Sequence, residues 1–337
     1  MTVTGAGGFV GGHVARGLAS AGHAVRGLSR RPPSGRPGDP SIDWWIGDLR
    51  DRAFRLDAIR GSRAVVHTAG WVSLGSDPGG QATAINVDLT RALLAEAEAA
   101  GVERFVHTST LHTLAAGTAD RPADEDSTWN LTRVDSPYAR TKRAAEALVL
   151  GGSGRLSGVV LCPGMVLGPR DVRPTSTRLL LAISRTPLAF VPGGGIPIVD
   201  SAVVARAHRM ALASGEPGHR YAVVGPYLSY PDLARLVAQV AGRPARVVTL
   251  PDAAEPPIVG LARGIDRLVG GRWLDVSGAA AAGGFLRLHV RGDRADCAFG
   301  LVHPPPIVSI FAALDDARRS GRAPWLGPLR PPLELAG

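Results

Sequence analysis

The stretch Thr4-Gly5-Ala6-Gly7-Gly8-Phe9-Val10-Gly11 decides the fold. Glycines 5, 8 and 11 lie directly after a β-branched run and directly before an amphipathic segment that ends at Gly22. In a strand-turn-helix unit each glycine has its own reason. Gly5 permits a tight turn, Gly8 lets the backbone approach a phosphate, and Gly11 lets helix and strand pack closely. A helix starting there aims unpaired N–H groups and positive potential at an anion. The pattern predicts a parallel sheet with a dinucleotide pyrophosphate at its first turn.

The following segments keep that rhythm. Residues 1–4, 24–29, 42–46, 64–68 and 104–109 read as strands, while 11–21 and 82–100 read as helices. Such alternation argues for βαβ units with helices on both faces, a doubly wound Rossmann fold of the α/β class. Residues 138–150 read as a long helix and 158–162 as a buried strand stopped at Pro163, which has no N–H to donate. Beyond Pro163 the composition turns to Pro, Gly and Arg, with Pro192-Gly193-Gly194-Gly195 as a breaker and helices over 202–214 and 230–241. Residues 219–224 return a strand to the main sheet. The expected division is a dinucleotide-binding domain over 1–163, with a returning segment near 196–224, and a smaller substrate-binding lobe over 164–195 and 225–337. The low-complexity run 279–284 reads as a loop.

The end of the second strand selects the cofactor. Leu28-Ser29-Arg30-Arg31 offers a hydroxyl and two guanidinium groups where an acidic residue would bind a ribose 2′-OH, so the expected cofactor is NADP(H) rather than NAD(H). Asp48-Leu49, after the third strand, is placed to hold the adenine edge, with the carboxylate accepting from its amino group.

Composition singles out one further position. Lys and Arg together number 38, and Lys142 is the only lysine. A chain so biased toward arginine keeps an ammonium where ammonium chemistry is required. Lys142 closes Tyr138-Ala139-Arg140-Thr141-Lys142, a spacing that puts Tyr138 and Lys142 on one helix face. Tyrosine ordinarily loses its proton near pH 10; an adjacent ammonium lowers that and makes the hydroxyl a usable acid or base. Phe105-Val106-His107-Thr108-Ser109-Thr110 ends a buried strand with three hydroxyl residues. Thr110, with Ser109 as runner-up, is the donor expected to hold a substrate carbonyl beside Tyr138. His107 and His112 are read as structural.

The remaining composition excludes more than it assigns. Cys162 and Cys297 lack the companions of a zinc site or a disulfide framework, which leaves no metal expected. The net charge of +9 is spread among Gly, Pro and acids without a basic run, so no nucleic-acid partner is expected. No apolar run reaches the roughly 18–20 residues of a membrane span, and four residues before the glycine turn leave no room for a signal peptide. A cytoplasmic location is the expectation.

Taken in order, the glycine motif, Asp48-Leu49, Val66-His67-Thr68-Ala69-Gly70, Asn86-Val87, the Thr-Ser-Thr strand end, the Tyr-Lys pair, and Pro163 followed by Gly168-Pro169 resemble the motifs of extended short-chain dehydrogenases/reductases. The similarity covers about the first 210 residues. Gly168-Pro169-Arg170-Asp171 followed by Pro174-Thr175 looks most like the dihydroflavonol reductase-like and 3β-hydroxysteroid dehydrogenase-like branch. The resemblance implies hydride transfer between NADPH and a ketone carbon, with Tyr138 protonating the oxygen, Thr110 orienting it, and Lys142 tuning Tyr138 and gripping the ribose. It further implies cofactor contacts from Phe9, Val10, Thr68, Ala69, Gly70, Thr108, Pro163 and Met165, with Asn86 orienting backbone or relaying a proton. It also implies pairing of two copies through helices packed on the sheet. Gly70 departs from the family, which has a second Ala there, and Thr110 stands where Ser is common.

Three functions compete on this scaffold. Nucleotide-sugar enzymes of the family carry an Asn for the diphosphate where this chain has Met165, which cannot donate that bond. Leu179, Leu180, Leu181, Ile183, Leu188 and Phe190, together with Trp71 and Trp129, favour an apolar substrate instead. A ketoreductase or hydroxy-dehydrogenase is therefore preferred over a nucleotide-sugar epimerase or dehydratase. A cofactor-binding sensor has no need of an intact Tyr-Lys pair.

Overall fold

The computed structural model describes residues 1–337 apart from 34, 74, 78, 153–154, 175, 244–245, 270–276 and 336–337. Of the Pro174-Thr175 pair, Thr175 thus lies outside the described residues. Strands β1 (Thr2–Thr4), β2 (Arg26–Ser29), β3 (Asp43–Ile46), β4 (Ala64–His67), β5 (Arg104–Thr108) and β6 (Ser157–Pro163) run parallel. Then β7 (Met165–Leu167), β8 (Leu188–Pro192) and β9 (Gly195–Asp200) leave the sheet, and β10 (Arg220–Val223) returns beside β6. Among the described residues the central sheet has seven strands in the order β3-β2-β1-β4-β5-β6-β10, the doubly wound arrangement expected, with its order reversing between β1 and β4.

Helices cover both faces. On one, α1 (Phe9–Ser20) packs beside a later helix, α6 (Ser201–Ser214). The other carries α2 (Arg52–Ile59), α3 (Leu89–Ala99) and α4 (Pro137–Leu150), while α5 (Thr177–Arg185) lies beyond β7. Successive strand residues alternate between the two cores: Val66, Val106 and Val159 face the α1 side, and Val65, Phe105 and Val160 the α3 side. The α3-side core continues without a break into the later part of the chain, through Leu180 and into α7 (Tyr230–Val240). There β11 (Tyr227–Ser229) joins β9 and β7, and β12 (Arg246–Leu250) pairs with β8. The chain proceeds through α8 (Glu255–Val269), α9 (Gly278–Phe285), α10 (Asp293–Phe299) and α11 (Pro306–Arg319). Among the described residues no helix is long and apolar enough to cross a membrane.

Two local expectations needed correction, and one helix lay outside the expectations. The run 279–284 is not a loop but the body of α9, which Ser277 opens by accepting the Ala280 N–H at 3.0 Å. Its small residues allow close approach: Gly194 N donates to Gly284 O at 3.1 Å, and a Cβ on Gly284 would meet Pro192 at 2.8 Å. Four alanines favour the helix, and the cap and packing hold it against the cost of Gly283 and Gly284. Helix α2 was not expected at all, because its inner face is made partly by Arg55, buried and bidentate to Glu96 at 2.7 Å. Lastly, the segment expected as one helix over 82–100 opens with a π-helical turn at Thr83–Asp88 before α3.

Candidate active site

The glycine turn, the residues that follow β2, β3 and β4, the end of β5 and Pro163 sit at the carboxyl edge of the central sheet, where doubly wound folds bind ligands. At the switch point, Gly5 takes φ +68°, and its carbonyl accepts the Gly8 N–H at 2.8 Å to close the turn. A Cβ on Gly11 would lie 2.3 Å from Gly5 O and 2.3 Å from Thr68 Oγ1, so only glycine lets α1 start this close to β1 and β4. Phe9 and Val10 form the first turn of α1. Gly7, to which the sequence reading gave no role, lies where a Cβ would be 2.1 Å from Ser29 Oγ.

Ser29 Oγ donates to Arg31 O at 2.7 Å and so shapes the turn after β2, leaving Arg30 and Arg31 exposed at its rim. Arg30 lies close enough for its charge to act on Asp48. The Asp48 carboxylate is engaged by Arg50, at 2.6 Å from Nη2, which brings it down to about 2. Arg55 Nη1 donates to Leu49 O at 2.7 Å, so the buried Arg55–Glu96 pair also holds the loop carrying Asp48 and Leu49.

A run of hydrogen bonds links the glycine turn to α4. Thr90 Oγ1 donates to Asn86 O at 2.7 Å and must therefore accept from His67 Nε2 at 3.0 Å. Burial lowers His67 to about 3, so the ring is neutral and its Nδ1 accepts from Thr4 Oγ1 at 2.8 Å. Thr4 Oγ1 in turn accepts the Ala69 N–H at 3.2 Å, and Thr68 Oγ1 donates to Thr4 O at 2.6 Å. Asn86, in the π-turn, accepts from Trp71 N at 2.7 Å and donates to Trp71 O at 3.1 Å and to Thr141 Oγ1 at 3.0 Å. Such turns recur at functional sites because they turn one side chain out of helical register. The geometry also accounts for Gly70: a methyl there would lie 3.2 Å from Asn86 Oδ1 and 3.5 Å from Lys142 Nζ.

Thr110, Tyr138 and Lys142 converge from β5 and α4. Ser136 caps α4 by accepting from Ala139 N, Pro137 fills the first turn, and Tyr138 follows, buried. The Tyr138 hydroxyl lies beside Thr110, yet burial is the larger influence and raises Tyr138 above its ordinary value. This differs from the expectation that a neighbouring ammonium would dominate. Lys142 Nζ donates to Thr108 O at 2.6 Å, and burial lowers the lysine to about 8. Thr108 is fixed from the other face too: His208 Nδ1 donates to Val204 O at 2.8 Å, so the neutral ring's Nε2 accepts from Thr108 Oγ1 at 2.7 Å.

Other expected residues lie nearby or elsewhere. Pro163 ends β6 and the half-buried Met165 opens β7, at the same edge of the sheet. His112 stands beside Tyr138, the two ring centroids 6.5 Å apart in an edge-on arrangement, and its Nδ1 lies 3.3 Å from Thr110 Oγ1. Trp129 Nε1 donates to His112 O at 3.1 Å. The apolar residues of the later lobe do not gather around this centre: Leu180, Leu181 and Ile183 are core, while Leu188 and Phe190 are exposed on β8. They carry no argument for an apolar pocket.

A family model, the NAD dependent epimerase/dehydratase family, matches residues 1–223. The chain belongs to this family. Within it, the chain is 31% identical over 257 residues to "Sterol demethylase protein B" of Methylococcus capsulatus, covering 74% of this chain and 76% of that protein. It is 30% identical over 258 residues to a "Putative dihydroflavonol 4-reductase" of Synechocystis, 74% of each chain. The crystal structure of gox2253 superposes with a TM-score of 0.79 at 30% identity, over 95% of this chain and 98% of that one. The family match covers the central sheet and the helices on both its faces, including the whole edge just described. Extended short-chain dehydrogenases/reductases are enzymes that use a nicotinamide dinucleotide, and the family resemblance drawn from the motifs agrees with the match.

Proposed function

We propose that this protein is an NADP(H)-dependent ketoreductase or hydroxy-dehydrogenase for an apolar small molecule. The observation that carries the reading is the meeting of Thr110, Tyr138 and Lys142 at one strand end, beside a glycine turn shaped for a pyrophosphate. Residues 1–163 with 196–224 form the cofactor-binding part, and the remainder binds substrate. That the relatives named above include a sterol protein and a dihydroflavonol reductase supports an apolar substrate.

The residues present fit the dinucleotide. Gly11 lets α1 start against the ends of β1 and β4, the first turn of α1 presents N–H groups beside the Gly5 turn, and Ser29, Arg30 and Arg31 suit a 2′-phosphate. Bound there, the nicotinamide would supply or accept the hydride. Tyr138, which burial keeps protonated, donates its proton to the substrate oxygen in reduction and takes it back in oxidation. Thr110, beside Tyr138, orients the same oxygen. Lys142, tethered to Thr108 O one helix turn from Tyr138, supplies the positive charge that stabilises the phenolate left behind, and with the cofactor bound would hold its ribose. Replacing Tyr138 by Phe tests the assignment. Turnover should fall by at least about a hundredfold, the usual scale of general acid–base catalysis, with cofactor affinity kept. Near-normal turnover would remove Tyr138 from this role.

A further inference from the structure

Helix α4 carries a third ionisable group at the same spacing. Glu146 follows Lys142 by four residues as Lys142 follows Tyr138, so the three side chains share a face, and all three are buried. Each reaches a different residue at the end of β5. Tyr138 lies beside Thr110, Lys142 Nζ donates to Thr108 O, and Ser109 Oγ donates to Glu146 Oε1. Three successive residues at this strand end, Thr108 to Thr110, thus face three successive turns of the helix.

A carboxylate this deep is costly unless hydrogen-bonded and balanced by a cation. Cys162 Sγ donates to the same Oε1 at 3.5 Å, and Oε2 lies 3.5 Å from Arg220 Nη1. Arg220 is meanwhile committed to Glu125 O through Nε at 2.8 Å. The Glu146 charge also acts on Lys142, opposing the burial that drives the ammonium toward neutrality.

We propose that Glu146 is a positioning residue for the Tyr138–Lys142 pair: it is the buried counter-charge of the Lys142 ammonium and, through Ser109, anchors the strand end that carries Thr108 and Thr110. Its importance for the chemistry rests on the reading given under Proposed function, but the charge coupling itself does not. The groups facing Lys142 are His67 from β4, His107 from β5, Cys162 from β6, and Tyr138 and Glu146 from its own helix. Arg220 from β10 faces Glu146. Burial holds His67 and His107 neutral and raises Cys162.

Because Lys142 is the only lysine, protein grown on 13Cε-lysine shows a single resonance, whose titration reads this ammonium without cofactor or substrate. The expected midpoint is about 8 in the unaltered chain. In Glu146→Gln, which keeps the shape and removes the charge, it should fall by at least about one pH unit. In Arg220→Met, which leaves the carboxylate to Lys142 alone, it should rise. An unchanged or higher midpoint in a Glu146→Gln protein with native near-UV circular dichroism overturns the proposal. If that variant does not fold, an unchanged or lower midpoint in Arg220→Met does so. The titration can fail while the Tyr138→Phe result stands, and the reverse.

Discussion

Adding one methyl to the glycine turn should separate this account from a merely flexible loop. In Gly11→Ala the new Cβ would lie 2.3 Å from both Gly5 O and Thr68 Oγ1. Carbon–oxygen contacts run about 3.3–3.6 Å, so α1 must retreat from the strand ends by about 1 Å. Overpacking of this kind costs about 1–3 kcal/mol, offset by the 0.5–1 kcal/mol or so that alanine returns in a helix. The larger effect falls on cofactor binding, because the retreating turn carries the N–H groups proposed to face the pyrophosphate. Losing one hydrogen bond to a charged group costs about 1.5–3 kcal/mol, roughly 10- to 100-fold in Kd. The control is the next residue. In Gly12→Ala the nearest atom, at 2.8 Å, is the mobile end of Arg16, and the backbone oxygen of Ala6 stands at 3.2 Å. That variant should stay within about 1 kcal/mol of the unaltered protein. Titrating NADPH fluorescence against both variants, with thermal melting alongside, makes the comparison. Unweakened binding in Gly11→Ala, or equal loss in Gly12→Ala, would refute the reasoning.

Two further outcomes are expected. Replacing Arg30 and Arg31 together by Ala should weaken NADPH much more than NADH in the same fluorescence titration, and equal losses would remove the 2′-phosphate assignment. The pH dependence of stability should carry the signature of Lys142, whose value drops from 10.5 to about 8 on burial. Charging it in the folded chain is disfavoured, so the penalty is full below about 8 and is lifted as pH rises from there to 10.5, where the unfolded chain keeps the proton longer. Across that window the unaltered protein should gain up to about 3 kcal/mol relative to Lys142→Met in denaturant unfolding. A constant difference would contradict it.

The parts of the fold that rest on apolar pattern were legible. Val65-Val66, Phe105-Val106 and Val159-Val160 place one residue in each core, and runs of that kind announce strands buried on both faces. Lys142 was legible from composition alone, because nothing else in the chain is a lysine. What escaped were buried charges, which look like surface when read along the chain. Arg55 conceals the inner face of α2 until its partner Glu96 is known, and these two lie 41 residues apart. Glu146 was overlooked for the same reason, although its spacing from Tyr138 and Lys142 was open to inspection. The α9 helix was hidden by alanines and glycines whose helical state depends on the Ser277 cap and on packing against neighbours. The apolar run 179–190 misled in the opposite sense, since amphipathic spacing cannot distinguish core from a ligand-facing wall.

The central claim is net hydride transfer to or from an external molecule, and isotope transfer tests it most directly. Purified protein and NADPH carrying deuterium at the transferable C4 position would be incubated with small-molecule extract from cells lacking the gene, and the products analysed by mass spectrometry. A new alcohol bearing the deuterium is the predicted result, and it identifies the substrate as well. Conversion of an extract component without deuterium, by isomerisation or loss of water, would contradict the claim and favour the epimerase or dehydratase chemistry for which the family is named.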